Sequence, residues 1–208
     1  AVVMLGHNTL RSLIFTASVA GVLGRKATGY ALGEGELWRH SVNVAGAARL
    51  VARVKYPALA EEAYVAGLLL DIGKIVLDQY MQDEFETANA LAIEESISFI
   101  EAEQRVFGAD HAEIGGLLAE KWNLPPDLVD AIRHHHDPSS AEGAPVLAAL
   151  VHVSDLVATE LGIGIGSDGL QYPSVGEAFE LAGIDAEEYM TIMGQVAENA
   201  DEAANQLN

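Results

Sequence analysis

The sequence has 208 residues, half of them apolar and 6% aromatic, with a formal net charge of −20 at pH 7. The apolar fraction can build a hydrophobic core, so a disordered tail is excluded. The acidic balance argues against nucleic acid and anionic membranes as partners. The sequence contains no cysteine, so disulfides, thiolate metal sites and a cysteine nucleophile are excluded too.

Apolar residues recur at three- and four-residue spacing along nearly the whole sequence, a pattern that predicts an all-α protein. The first helix is expected to start near Asn8 or Thr9, either of which is a good N-cap. The residues that it is expected to bury are Leu10, Leu13, Ile14 and Ala17. Prolines, glycines and capping residues set the other boundaries. The remaining predicted helices cover residues 36–54, 59–80, 83–107 (less regular at 96–99), 111–122, 125–136, 144–161, 174–182 and 185–205.

A Gly-rich stretch at residues 162–172 predicts a flexible linker, which separates a helical domain at 1–161 from an acidic C-terminal helical segment at 173–208. Residues 1–6 have the pattern of a helix end followed by a glycine turn, so we expect earlier helices of the domain to be missing from this sequence. No segment has the features of a signal peptide, and the apolar stretches are shorter than the ~20 residues of a membrane span. We therefore expect a cytoplasmic location.

Histidine and aspartate residues are spread over several predicted helices in an order that suggests a metal site. These residues are His40, Asp71, His111, the triplet His134, His135 and His136, and the pair His152 and Asp155. Helical bundles build metal sites from inward-facing side chains of several helices, and imidazole and carboxylate ligands suit Mn, Fe or Zn. A metal ion bound in this way can polarise a phosphoryl group and generate hydroxide near neutral pH.

Each of these residues also has a structural interpretation. Asp71 interrupts an apolar run at 66–77, where an unpaired carboxylate is costly, but Lys74 lies three residues further on and could form a partly buried salt bridge with it. The histidine triplet could instead be stabilised as cationic imidazole at the C-terminus of a helix. Asp155 could accept a hydrogen bond from neighbouring backbone or from His152.

Several motifs, taken in order, resemble the HD superfamily of metal phosphohydrolases and, as a set, its regulatory branch, the HDOD (HD-related output) domains of bacterial signalling. The motifs are Leu5-Gly6 with Leu10-Arg11-Ser12-Leu13, Leu37-Trp38-Arg39-His40-Ser41, Ala66-Gly67-Leu68-Leu69-Leu70-Asp71-Ile72-Gly73-Lys74 and Ile132-Arg133-His134-His135-His136-Asp137-Pro138. The resemblance covers residues 3–161 and implies an HD-superfamily-like helical bundle, to which the sequence adds short acidic C-terminal helices. The metal ligands that it implies are His40, Asp71, His111, His135, His136 and Asp155, with Glu36 as an additional ligand in the phosphodiesterase branch. It also implies that Lys74 faces the substrate phosphate in active relatives.

The sequence departs from the active relatives at two points. The histidine of the His-Asp dyad is replaced by Leu70, which cannot coordinate a metal, and the Gly-Tyr-Pro segment of the phosphodiesterase branch is missing after His136. The first hypothesis is therefore a non-catalytic output or scaffold domain, which acts through a change in helix packing or in contact with a signalling partner protein. An attached sensor or receiver domain would drive this change. The second is a metal-dependent phosphohydrolase or phosphodiesterase with an altered site, in which Asp71 and Lys74 take part in catalysis. The expected cofactor is a divalent transition metal (Fe, Mn or Zn), or none.

Overall fold

The computed structural model describes residues 7–167, 169 and 176–205 of the chain. The regular elements of these residues are helices, together with one isolated antiparallel bridge between Ala27 and Leu32. The α-helices are α1 His7–Leu23, α2 Glu36–Lys55, α3 Ala60–Leu69, α4 Ile72–Tyr80, α5 Phe85–Glu95, α6 Phe99–Phe107, α7 His111–Lys121, α8 Pro126–Arg133, α9 Pro145–Glu160, α10 Gly176–Ala182 and α11 Ala186–Asn205, with 3-10 turns at Pro57–Leu59 and Pro138–Ser140. The predicted all-α class is confirmed. The expectations for residues 1–6 and for a helix start at Ser174 lie outside the described residues.

The centre of the bundle is formed by α2, α3 and α9, which pack against one another. Small residues let α2 and α3 approach closely: Ala45 and Ala48 are fully buried, and a Cβ at Gly67 would lie 3.1 Å from the backbone of Ala45. α9 is buried along most of its length. Because α9 is apolar on most sides, it lies inside the bundle, and its polar residues His152 and Asp155 are held in the interior.

The chain interrupts its helical course at Leu70 and Asp71, between α3 and α4. The prediction of one continuous helix over residues 59–80 is wrong, because α3 ends at Leu69 and α4 begins at Ile72. Asp71 has φ −99° and ψ 10° and precedes the first residue of α4. The residues on both sides of the break are buried, so the apolar run continues through the break. The hydrophobic pattern therefore did not reveal where the helix ends.

Directly after this break, Gly73 permits a very close contact between α4 and α7. A Cβ at Gly73 would lie 2.0 Å from the carbonyl oxygen of His111 and 2.7 Å from the backbone nitrogen of Gly115. No side chain fits at these distances, so the contact requires glycine. The close approach brings Asp71 beside His111.

The packing of α1 differs from the prediction at two positions. Ile14 is 57% exposed, and Ala17 is exposed as well, although both were expected to be buried. The helix packs mainly against α3, and Val19 and Leu23 near its C-terminus are buried. The side chains of Leu10 and Leu13 lie outside those that the structure describes.

The C-terminal helices contact the rest of the bundle through both apolar and polar groups. α10 packs against α9 and α11 against α2, and the residues buried there include Ala178, Ala182 and Ile192. The Tyr56 hydroxyl also donates a hydrogen bond to the carbonyl of Leu181 at 3.3 Å. The predicted division of the chain at residues 162–172 stays a prediction. Across the helices that are described, none combines the length and the apolar character that crossing a membrane requires.

Candidate metal centre

Three of the predicted metal ligands, His111, His135 and His136, converge on one point of the bundle. One ring nitrogen of each lies within 4.8 Å of the others, and Nε2 of His111 is 2.8 Å from Nε2 of His136. His111 is the first residue of α7, whose start is fixed by a reciprocal capping box between Asp110 and Glu113. The other two histidines occupy the turn after α8. Side chains from separate segments thus meet as a bundle metal site requires.

A second group of predicted ligands adjoins the first through Asp71. Nε2 of His40 lies 2.7 Å from Oδ1 of Asp155 and 3.6 Å from Oδ2 of Asp71, and Oδ1 of Asp71 lies 3.4 Å from Nε2 of His111. Lys74 donates a hydrogen bond from Nζ to Oδ2 of Asp71 at 2.7 Å. The structure therefore brings the six predicted ligands into two adjoining groups, with Asp71 between them. Their role as ligands stays a prediction.

The residues around His40 are charged at neutral pH. Burial alone lowers the pKa of His40, but the hydrogen bond and charge of Asp155, with the charge of Asp71, outweigh burial and raise the pKa to about 9. Burial alone raises the pKa of Asp71, yet the charges of Lys74, His111 and His40 hold it below its ordinary value. The pKa of Asp155 is likewise lowered, because its bond to His40 outweighs burial. This half of the site is therefore a buried network of balanced charges.

The two histidines of the turn after α8 are neutral instead. Burial, assisted by the charge of His111, lowers the pKa of His135 to about 4, and burial with the charges of His135 and His111 lowers the pKa of His136 well below its ordinary value. Nδ1 of His135 donates to the carbonyl of Ile132 at 2.8 Å, so its lone pair is on Nε2.

That Nε2 of His135 is buried and has no hydrogen-bond partner among the residues that are described. Buried polar atoms without a partner are rare and call for an explanation. A neutral imidazole with an unused lone pair is the form that binds a metal ion, and the neighbouring ring nitrogens of His111 and His136 are suitable further ligands. The residues present therefore fit a divalent transition metal at this point.

One buried acid at the site was not among the predicted residues. Glu103 of α6 is fully buried, and its Oε2 accepts a hydrogen bond from Nδ1 of His111 at 2.7 Å. Burial alone lowers the pKa of His111, but Glu103 raises it above its ordinary value, with Asp71 adding to the effect. The sequence did contain a signal, because Glu103 follows Phe99 by four residues and so lies on the buried face of α6.

Three further residues named in the sequence analysis lie near these groups, and the role of Glu36 as an additional ligand stays a prediction. The carboxylate of Glu36 accepts a hydrogen bond from the backbone N–H of Gly33 at 2.5 Å, in the turn that precedes α2. Leu70 is fully buried beside Asp71. Nδ1 of His152 donates a hydrogen bond to the carbonyl of His135 at 2.8 Å.

A small cavity borders the charged half of the site. Its lining consists of His40, Lys74, Asp155, Thr159, Gly164, Ile165, Gly166 and Gly169. Its volume of about 10 Å³ leaves room for about one water molecule. The loop after α9 closes it: the carbonyl of Ile163 accepts a hydrogen bond from Nδ1 of His40 at 2.8 Å, and Gly164 adopts a φ of 61° against α2.

The fold and the site together define an all-α bundle whose interior holds histidines and aspartates from separate helices. The HDOD domain family matches residues 1–138. Since this match covers more than half of the chain, the chain belongs to the HDOD family. The resemblance inferred from the motifs is confirmed.

Solved structures and curated proteins include further relatives. The chain is similar to an HDOD domain protein of unknown function from Geobacter sulfurreducens, with a TM-score of 0.75 and 28% identity over 95% of this chain and 72% of that chain. It is similar to a candidate phosphohydrolase from Shewanella amazonensis, with a TM-score of 0.71 and 29% identity over 97% and 71% of the two chains. It is 34% identical to ribonuclease Y of Thermus thermophilus over 117 residues, 56% of this chain. The chain spans only 15% of that protein and 16% of an uncharacterized relative from Treponema pallidum.

Proposed function

We propose that this chain is a non-catalytic regulatory HDOD module, which transmits a signal through a change in helix packing or partner contact. The observation that carries the proposal is Leu70, fully buried where the HD hydrolases have the histidine of the His-Asp dyad. A two-metal hydrolase clamps the attacking and the leaving oxygens with two ions about 3.5–4 Å apart. A leucine side chain offers no ligand atom, so Asp71 lacks the neighbour with which it would hold a second ion.

The charge balance around Asp71 supports the same proposal. In active relatives the lysine at the position of Lys74 faces the substrate phosphate. Here Lys74 is only 5% exposed, and its Nζ bonds to Asp71 at 2.7 Å. The adjoining cavity of about 10 Å³ is far smaller than the roughly 300 Å³ at which small-molecule pockets begin. This small volume supports a module that does not take a nucleotide at this point.

The proposal includes a single divalent ion, Fe, Mn or Zn, held by His111, His135 and His136. When bound, such an ion supplies Lewis acidity. In this chain the ion would link the three histidines and so connect the start of α7 to the turn after α8. The buried Nε2 of His135 supports this assignment, because nothing among the described residues satisfies it.

The proposed partners are a signalling protein or an attached sensor or receiver domain, in the cytoplasm. A partner that favours one of two packing arrangements by a few kcal/mol is enough to shift the population between them. The acidic C-terminal helix α11 is the proposed contact surface, since Glu187 and Met190 on it are exposed.

Hydrolysis assays test whether the module is catalytic. Wild-type protein, Asp71→Asn and the exposed control Asp83→Asn are incubated with Mn²⁺, Fe²⁺ or Zn²⁺ and either bis(p-nitrophenyl) phosphate or a cyclic dinucleotide. We expect all three proteins to give the rate of the metal-only blank. Metal-dependent turnover by wild type and Asp83→Asn that disappears in Asp71→Asn would refute the proposal.

The second candidate function is a metal-dependent phosphohydrolase or phosphodiesterase with an altered site. It is favoured by the histidine cluster with Asp71 at 3.4 Å from His111, and by the similarity to the Shewanella candidate phosphohydrolase and to ribonuclease Y. In that case Asp71 and the histidines would hold the ion, and Lys74 would release Asp71 to neutralise the phosphate. Turnover that is lost in both Asp71→Asn and Lys74→Met would establish it.

A further inference from the structure

Glu103 contacts His111 at Nδ1, the ring nitrogen that does not face His136. Its Oε2 accepts hydrogen bonds from both Nδ1 and the backbone N–H of His111, at 2.7 and 3.1 Å. Its other oxygen accepts a hydrogen bond from the hydroxyl of Tyr30. A fully buried carboxylate is costly unless it has such donors, so these bonds hold Glu103 in one orientation.

Tyr30 is itself fixed by its surroundings. It is fully buried, and its ring packs edge-to-face against Phe85 and Phe99, with centroid distances of 4.8 and 5.8 Å. Aromatic pairs of this geometry add about 0.5–1.5 kcal/mol beyond their burial. The Tyr30 ring is therefore held in place by its neighbours, so its hydroxyl has a fixed position. The hydrogen bond from this hydroxyl keeps the carboxylate of Glu103 turned toward His111.

We propose that Glu103, held by Tyr30, is a positioning residue that directs Nε2 of His111 toward the metal ion. The inference rests on the proposed function, because it requires the single-ion site. When Nδ1 of a histidine donates to a carboxylate, Nε2 is the nitrogen that remains for the metal. Nε2 of His111 is the atom that lies 2.8 Å from His136 and 3.4 Å from Asp71, so the orientation set by Glu103 points into the cluster.

Metal affinity gives the first test, with Zn²⁺ as the probe. Zn²⁺ binding is measured by competition with a chromogenic chelator at pH 7.5 for wild type, Glu103→Ala and Glu103→Gln. Loss of a carboxylate partner of a ligating histidine weakens metal binding about 10–100-fold. We expect Glu103→Ala to lose about 100-fold. Glu103→Gln should lose no more than about 10-fold, because its carbonyl oxygen can still accept from Nδ1 while its amide faces Tyr30.

Asp78→Asn is the matched control. Asp78 is another acid at the edge of the core, 9% exposed, and it accepts a hydrogen bond from the backbone N–H of Gly29 at 2.6 Å. Within the described part of the chain it has no hydrogen bond or ion pair with a histidine. We expect its Zn²⁺ affinity to equal that of wild type. Folded Glu103→Ala that binds Zn²⁺ like wild type would overturn the inference, and so would Glu103→Gln with the same loss as Glu103→Ala.

A second measurement does not depend on metal, and its wild-type part does not depend on the folding of a variant either. In metal-free wild type labelled with ¹⁵N-histidine, NMR should show a slowly exchanging proton on Nδ1 of His111. This signal should persist in Glu103→Gln and vanish in folded Glu103→Ala. An unprotonated Nδ1 in wild type would overturn the positioning role. If wild type keeps the Nδ1 proton but binds no Zn²⁺, the single-ion site of the proposed function is refuted, and this inference fails with it. The hydrogen bond between Glu103 and His111 would still be present in that case.

Discussion

Gly73→Ala should strongly destabilise the protein, because Gly73 lies where α4 and α7 touch. The added Cβ would lie 2.0 Å from the carbonyl oxygen of His111, whereas ordinary contacts begin at 3.4 Å. The two helices must therefore separate by more than an ångström. Overpacking a core costs typically about 1–3 kcal/mol. We expect a loss of about 3 kcal/mol in the free energy of unfolding, because both groups in contact with the Cβ belong to the backbone and cannot rotate away.

The measurement is urea denaturation of wild type and Gly73→Ala, with Gly46→Ala as the control. Gly46 lies within α2, and nothing is within 4 Å of a Cβ placed there. Since glycine inside a helix is about 0.5–1 kcal/mol less favourable than alanine, we expect Gly46→Ala to be neutral or stabilising. A Gly73→Ala variant as stable as wild type would refute the argument that backbone contact between α4 and α7 requires glycine.

Three further predictions concern the surroundings of the site. In metal-free protein, the stability that His40 gains from Asp155 is fully present below pH 6.5 and is lost as the pH rises to about 9. Urea midpoints of wild type at pH 6.5 and 9.5 should show this loss, and an equal loss in Asp155→Asn would contradict the prediction. Asp110→Ala removes the cap of α7 and should cost about 0.5–2 kcal/mol in thermal or urea unfolding, so an unchanged stability would count against the capping box. Gly164→Ala places a Cβ 2.4 Å from the carbonyl of Glu36 at a φ of 61°, so it should destabilise the protein by at least about 1 kcal/mol, and wild-type stability would contradict the packing of this loop on α2.

Local signals in the sequence predicted most helix boundaries but not the break at Asp71. The capping residue Asp110 and the proline pair before α8 identified helix starts that the structure bears out. Asp71 ends helical geometry inside a run whose neighbours are all buried. Hydrophobic periodicity carries no information where every face is covered.

The errors in α1 and the omission of Glu103 have a different cause, because burial at these positions depends on segments that are far apart in the sequence. The apolar spacing of α1 indicated a buried face, but burial depends on which helices come to lie against it, and Ile14 faces outward. Glu103 lies among the polar residues Glu101, Gln104 and Arg105 in the sequence, so it can be taken for part of the solvated face of an amphipathic helix. Its burial depends on Tyr30, which is 73 residues away. By contrast, the association of the predicted ligands followed from the motif order of the family.

The number of ions at the site tests the central claim that Leu70 leaves a one-ion site without hydrolytic function. Anomalous diffraction at the zinc edge, from crystals of protein loaded with Zn²⁺, counts these ions directly. We predict one peak, at about 2.0–2.1 Å from nitrogens of His111, His135 and His136. Two peaks bridged by Asp71 would contradict the account, and so would the absence of any peak at this cluster.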